Sequence, residues 1–161
     1  MTSTQIMAGK RGLIMGVANN HSIAWGIAEM LAGHGADLAF TYQGDAFAKR
    51  VIPLAESVDA KLVLECDVED DDSVNATFAH IKEEWGGLDF VVHAIAYSDK
   101  EELKGRYVDT SRDNFRRTMD VSCYSFTSVA RRASAMMANG ASQWRKPFAN
   151  TVSRLLTPSK S

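Results

Sequence analysis

The chain has 161 residues, enough for one compact domain and little more. Hydrophobic residues make up 45% and charged residues 24%, a globular profile, and a net charge of −2 lacks the clustered basic excess that nucleic-acid binding requires. No stretch approaches the roughly 18 consecutive apolar residues of a membrane span, and Met1 to Gly9 carries no signal-peptide run, so a soluble cytoplasmic protein is expected.

Arg11 to Gly16 (RGLIMG) is a short apolar run ending in glycine and predicts a buried strand. Ser22 opens a helix with apolar residues at Ile23, Ile27, Met30 and Leu31, stopped by Gly33 and Gly35. Asp37 to Tyr42 predicts a second strand, and residues 45–58 a second helix that Pro53 is expected to kink or divide. Lys61 to Cys66 predicts a third strand. Asp70, Asp71, Asp72 and Ser73 place negative charge at the start of a third helix, which turns Val74, Phe78 and Ile81 inward and runs to Trp85. Gly86 and Gly87 end it, and Leu88 to Ala94 is the fourth strand. This alternation predicts an α/β, doubly wound parallel sheet, strand order 3-2-1-4.

An irregular stretch, 97–109, follows. Thr110 and Asp113 have the spacing of a capping box. Phe115, Met119, Ser122, Phe126, Val129, Ala133 and Met136 then recur at steps of three and four, which predicts one long amphipathic helix over about 112–138. A helix of that length is commonly covered on a second side by a partner subunit. Residues 141–161 hold Arg145, Lys146, Arg154 and Lys160 and no acid. This basic tail differs in kind from residues 1–140, and the run Ser142 to Lys146 is too polar for the fifth buried strand the fold calls for.

Cys66 and Cys123 both have apolar neighbours and suit buried thiols in a reducing compartment, although a disulfide stays possible if they meet in space. The four histidines lack metal-ligand spacing. Arg131, Arg132, Lys49 and Arg50 are expected to be solvated, and Met136 and Met137 to be core.

The loop from Gly16 to Gly26 (GVANNHSIAWG) is not the common G-x-G-x-x-G, yet it suits the same task. Gly16 lets the chain leave the strand tightly. Ser22 sits where a hydroxyl and free N–H groups can meet a pyrophosphate, and Gly26 would let the helix pack closely on the sheet. Glycine after a strand with a serine cap also occurs where no nucleotide binds, so the loop alone leaves both readings open. Gln43, Asp67 and Ala94–Ala96 follow strands two, three and four, at the carboxyl ends where such sheets bind ligands.

Taken together, G-V-A-N-N-x-S-I-A-W-G-I-A, A-F-T-Y-Q, C-D-V, H-A-I-A and M-D-V-S-x-Y-S-F resemble enoyl-acyl carrier protein reductase, a divergent branch of the short-chain dehydrogenase/reductases, from about Lys10 to Gly140. The resemblance implies hydride transfer from NADH to an enoyl thioester carried on acyl carrier protein in fatty-acid synthesis, by a cytoplasmic homo-oligomer, a tetramer in full-length members. It implies that Gly16, Ser22 and Ile23 hold the pyrophosphate, Gln43 the adenosine ribose, and Asp67 and Val68 the adenine. Ala94, Ile95 and Ala96 would line the path to the nicotinamide ribose, and Ser98 the substrate edge. Members often carry serine and glycine in place of Ala94 and Ala96. Neutral Gln43, where a 2′-phosphate would need a cation, favours NAD over NADP.

The resemblance also implies a tyrosine and, after six intervening residues, a lysine (Tyr-x6-Lys), following the fifth strand. No tyrosine follows Tyr124, so no catalytic residue is assigned. A truncated or frameshifted reading frame is therefore expected, with residues 141–161 out of frame. An inactive partial reductase, a nucleotide-binding or oligomerisation module, and an unstable fragment are the three readings this leaves.

Overall fold

The computed structural model describes residues 5–137. Four strands form one parallel sheet: β1 (Arg11–Met15), β2 (Asp37–Tyr42), β3 (Leu62–Glu65) and β4 (Phe90–His93), in the order β3-β2-β1-β4. This is the predicted α/β doubly wound arrangement. Side chains alternate across the pleat. Ile14, Leu38 and Phe40 point to one layer, where α1 (Ile23–Gly33) and α2 (Gly44–Ser57) cover them with Ala24, Trp25, Ala28, Val51 and Ala55. Leu13, Met15 and Ala39 point to the other. There α3 (Asp71–Trp85) contributes Val74, Phe78 and Ile81, as its spacing predicts, and α5 (Ser125–Met136) contributes Val129 and Ala133.

Several local expectations are corrected. The α1 residues Ile23, Ile27 and Met30 lie on its outer side, Ile23 79% exposed and Met30 63%. Ala24, Trp25 and Ala28 take the sheet side, with Trp25 against Phe40. Gly26 faces open space, so it does not mediate close packing. Pro53 does not divide α2, which continues through it from Gly44 to Ser57; Pro53 is on an exposed position, while fully buried Val51 and Ala55 anchor both sides.

The cap after the 97–109 stretch is Ser111, one residue later than expected, with its Oγ accepting from Asn114 N. Ser111 Oγ also donates to Glu102, which fixes the loop to the helix start. The long helix is real over 112–136 but not uniform: α4 (Arg112–Met119) passes through one wide π turn, Asp120–Tyr124, into α5. The extra residue in that turn shifts the phase. Val121, Ser125, Ser128, Val129 and Ala133 therefore face inward, whereas Phe115, Met119 and Phe126 of the predicted stripe are exposed. Cys123 is exposed too, against expectation, and Cys66 is buried; both are free thiols.

Arg132 is not a solvated charge. Its side chain is 18% exposed and pairs with Asp71 at 2.8 Å and Asn75 at 2.7 Å, pinning α5 to α3. Met136 and Met137 pack at the edge of the core. At Met137 the backbone becomes extended and makes a parallel bridge to Leu88, beside β4. The basic tail and the Ser142–Lys146 run lie outside the described residues.

Candidate functional site

The carboxyl ends of all four parallel strands open on one cleft of about 230 Å³. Gly16 forms its floor at the end of β1. Its φ is +98°, and a Cβ there would lie 2.1 Å from the Ala94 carbonyl oxygen. Only glycine lets the chain leave β1 this close to β4, where Ala94 N donates to Met15 O at 3.0 Å.

The loop then closes on Ser22. Its Oγ accepts from Ala18 N at 2.9 Å and Asn19 N at 3.0 Å, and Asn19 Oδ1 accepts from His21 N. Ser22 is the N-cap residue of α1 by position, but its hydroxyl braces the loop instead of capping the helix. In the first turn of α1, Trp25 N and Gly26 N donate to the Ser22 carbonyl at 3.0 and 3.2 Å; Ile23 N and Ala24 N precede the first bond of the helical ladder, and no acidic residue stands in that turn. A helix start of this kind attracts an anion.

Gln43 ends β2 on the opposite wall and is a neutral amide. Asp67 and Val68 follow β3. Asp67 is held from both sides: its N–H donates to Ser73 Oγ, and its Oδ1 accepts from Glu69 N. Ala94, Ile95 and Ala96 form the wall beyond β4. Seven of the ten residues singled out from the sequence thus meet at one cleft. Ser22, Ile23 and Ser98 do not line it. Ile23 projects outward from the first turn of α1, and Ser98 Oγ accepts from Asn114 Nδ2 and Thr118 Oγ1 at 3.2 Å. With Asn114 Oδ1 accepting from Asp99 N, this network fixes the 97–99 loop to α4.

Beneath the cleft, His93 Nε2 lies 2.9 Å from Ser125 Oγ. The Ser125 hydroxyl donates to Val121 O, so it can only accept from His93, and His93 therefore carries its proton on Nε2. Burial lowers the His93 pKa, which keeps the ring neutral. Burial also pushes the Cys66 thiol up, away from the reactive thiolate.

A family model described as Enoyl-(Acyl carrier protein) reductase matches residues 16–144. The chain belongs to the enoyl-(acyl carrier protein) reductase family. The enoyl-[acyl-carrier-protein] reductase [NADH] 2 of Rhizobium meliloti (strain 1021) is 65% identical over 135 residues, 84% of this chain and 50% of that protein. Two crystal structures resemble it throughout the same region. One is the reductase of Anaplasma phagocytophilum in complex with NAD, 57% identical, TM-score 0.77, covering 81% of this chain and 50% of that one. The other is FabI from Candidatus Liberibacter asiaticus, 60% identical, TM-score 0.79, covering 81% and 51%. The chain spans about half the length of the curated relatives it matches.

Against this family pattern, Tyr97 and Lys104 happen to have a Tyr-x6-Lys spacing, but they do not form a pair. Lys104 Nζ is bound to Glu101 on the surface, and the Tyr97 hydroxyl accepts from Arg117. Phe47, Glu69, Arg117 and Val121 also line the cleft and were missed from sequence. Arg117 binds Glu69 through Nε at 2.9 Å and a terminal nitrogen at 2.8 Å, and its guanidinium carbon lies 4.4 Å from the Tyr97 ring centre. Forty-eight residues separate the two charged partners, so no local pattern announces them.

Proposed function

We propose that this chain forms the NADH-binding part of an enoyl-acyl carrier protein reductase of fatty-acid synthesis. One observation supports the reading: the four strand ends bring Gly16, Gln43, Asp67 and Ala94–Ala96 to a single cleft, with the neutral amide of Gln43 among its lining. When bound, NADH supplies the hydride that reduces an enoyl thioester carried on acyl carrier protein. The chain's own residues bind and orient it. The Gly16 bend and the α1 start, including the Ser22 hydroxyl proton and the Ile23 N–H, take the pyrophosphate. Gln43 takes the adenosine ribose hydroxyls, and Asp67 and Val68 flank the adenine. Ala94, Ile95 and Ala96 guide the nicotinamide ribose along β4. Ser98 supports this wall through Asn114 and Thr118 and does not itself contact the cofactor.

The 161 residues hold no tyrosine beyond Tyr124. Stabilising the enolate oxygen as charge grows there needs a donor such as the tyrosine hydroxyl that the resemblance implies, and the activity we propose for these residues alone is cofactor binding without turnover. The exposed side of α4–α5, with Phe115, Met119 and Phe126, is the proposed contact with a second copy in a homo-oligomer. Among the described residues no helix is long and apolar enough to cross a membrane; cytoplasmic residence is part of the proposal.

Titration calorimetry of the chain with NADH and NADPH tests the reading. NADH should bind, NADPH at least about tenfold more weakly, and crotonyl thioester should not be reduced. Equal affinity for NADPH would remove the argument from Gln43, and absence of binding to either would remove the reading itself.

A further inference from the structure

The cleft wall beyond β3 is built by a group that the cofactor reading leaves unused. Arg117 projects from α4, is fixed edge-on by both oxygens of Glu69, and is backed on one face by the Tyr97 ring. Its side chain is nevertheless 52% exposed, and it lines the same cleft as Asp67 and Val68. Glu69 follows directly after the β3-end pair Asp67–Val68, so the guanidinium stands where the adenosine end of a dinucleotide would lie. Three of its five N–H donors are engaged by Glu69 and Tyr97. What it offers to the cleft is a flat, positively charged face, rigidly held.

We propose that Arg117 is an adenine-binding residue: its open guanidinium face stacks on the purine, with Tyr97 behind it and Glu69 setting its plane. Planar guanidinium groups stack on aromatic rings, and a compact ammonium does not. A face already ordered by two partners loses little conformational freedom when the base arrives. Nε and one terminal nitrogen are held by Glu69, whose carboxylate offsets the guanidinium charge, so this role is compatible with NADH over NADPH. The inference rests on the proposed cofactor reading, but concerns one wall of the site only.

The test uses the full chain and two ligands, ADP-ribose and uridine diphosphate ribose, in calorimetric titration with displacement for the weaker one. The parent should favour ADP-ribose. Arg117→Met and Arg117→Lys should each weaken ADP-ribose by about fivefold to tenfold, while uridine diphosphate ribose changes less than about twofold, because the larger purine surface is what stacks. Lysine keeps a charge for Glu69 but has no plane, so its failure to rescue separates stacking from ion pairing. If Arg117→Lys binds ADP-ribose as the parent does, the inference is wrong. It is equally wrong if both ligands weaken in parallel, the mark of a residue that only braces the loop. If the parent binds neither ligand, the cofactor reading fails and takes this inference with it.

Discussion

Replacing Gly16 with alanine isolates the closest backbone approach in the cleft. The residue sits at φ +98°, and the added methyl carbon would stand 2.1 Å from the Ala94 carbonyl oxygen and 2.5 Å from its carbon. Holding alanine at positive φ costs about 1–2 kcal/mol. Relieving the overlap must separate the ends of β1 and β4, which strains the Met15–Ala94 hydrogen bond, worth about 1 kcal/mol net. Against this, alanine stabilises by restricting the unfolded chain, by about 0.4–1 kcal/mol. The net expectation for Gly16→Ala is a loss of about 1–3 kcal/mol. Gly12→Ala gives the contrast. Its Cβ would fall 2.0 Å from the ring of Phe90, a side chain and not backbone, so Phe90→Leu should recover much of the loss in the double variant. No neighbouring side-chain change should rescue Gly16→Ala. Urea unfolding followed by circular dichroism reads both. A loss under about 0.5 kcal/mol for Gly16→Ala, or its rescue by trimming a side chain, would refute the argument from backbone contact.

Three further outcomes follow from the same geometry. Arg132→Met removes the tie between α5 and α3; with Asp71 largely exposed, the expected loss is about 1–2 kcal/mol in urea unfolding, and Arg132→Lys should recover only part of it. His93 has a folded pKa below its ordinary 6.5, so the unfolded chain binds the extra proton first, and stability is full above pH 6.5 and falls as pH drops below it. His93→Gln should flatten that part of a stability–pH curve, leaving the steeper loss near the carboxylate range, where Asp89 and Glu102 have lowered pKa values. Thiol titration with a disulfide reagent should modify Cys123 at once in the native protein and Cys66 only after denaturant is added, since Cys66 is 5% exposed.

The strands were legible because their apolar runs are short and bounded by glycine or acidic turns, and β2 matches residue for residue. The strand-end site was legible for the same reason: parallel topology dictates where Gly16, Gln43, Asp67 and Ala94 must emerge. The helix faces were less so. In α1 the spacing of Ile23, Ile27 and Met30 points outward, because Ala24, Ala28 and the single Trp25, which do not repeat as a large apolar stripe, make the sheet contact. In the helical segment after Ser111, a regular repeat was extrapolated through a turn that is not regular, and Phe115, Met119 and Phe126 of that repeat are exposed. Arg117–Glu69 and Arg132–Asp71 join elements far apart in sequence, and each pair is known only when the chain is folded.

That irregular turn at Asp120–Tyr124 has a mechanical consequence. A straight rod can aim one side at one target. By slipping a fifth residue into a single winding, the rod is rotated by roughly 100° partway along, so its front section serves the ligand wall through Arg117 and Val121, and its rear section grips α3 through Val129 and Arg132. Deleting one residue there would leave the composition almost untouched and still force a choice between the two tasks.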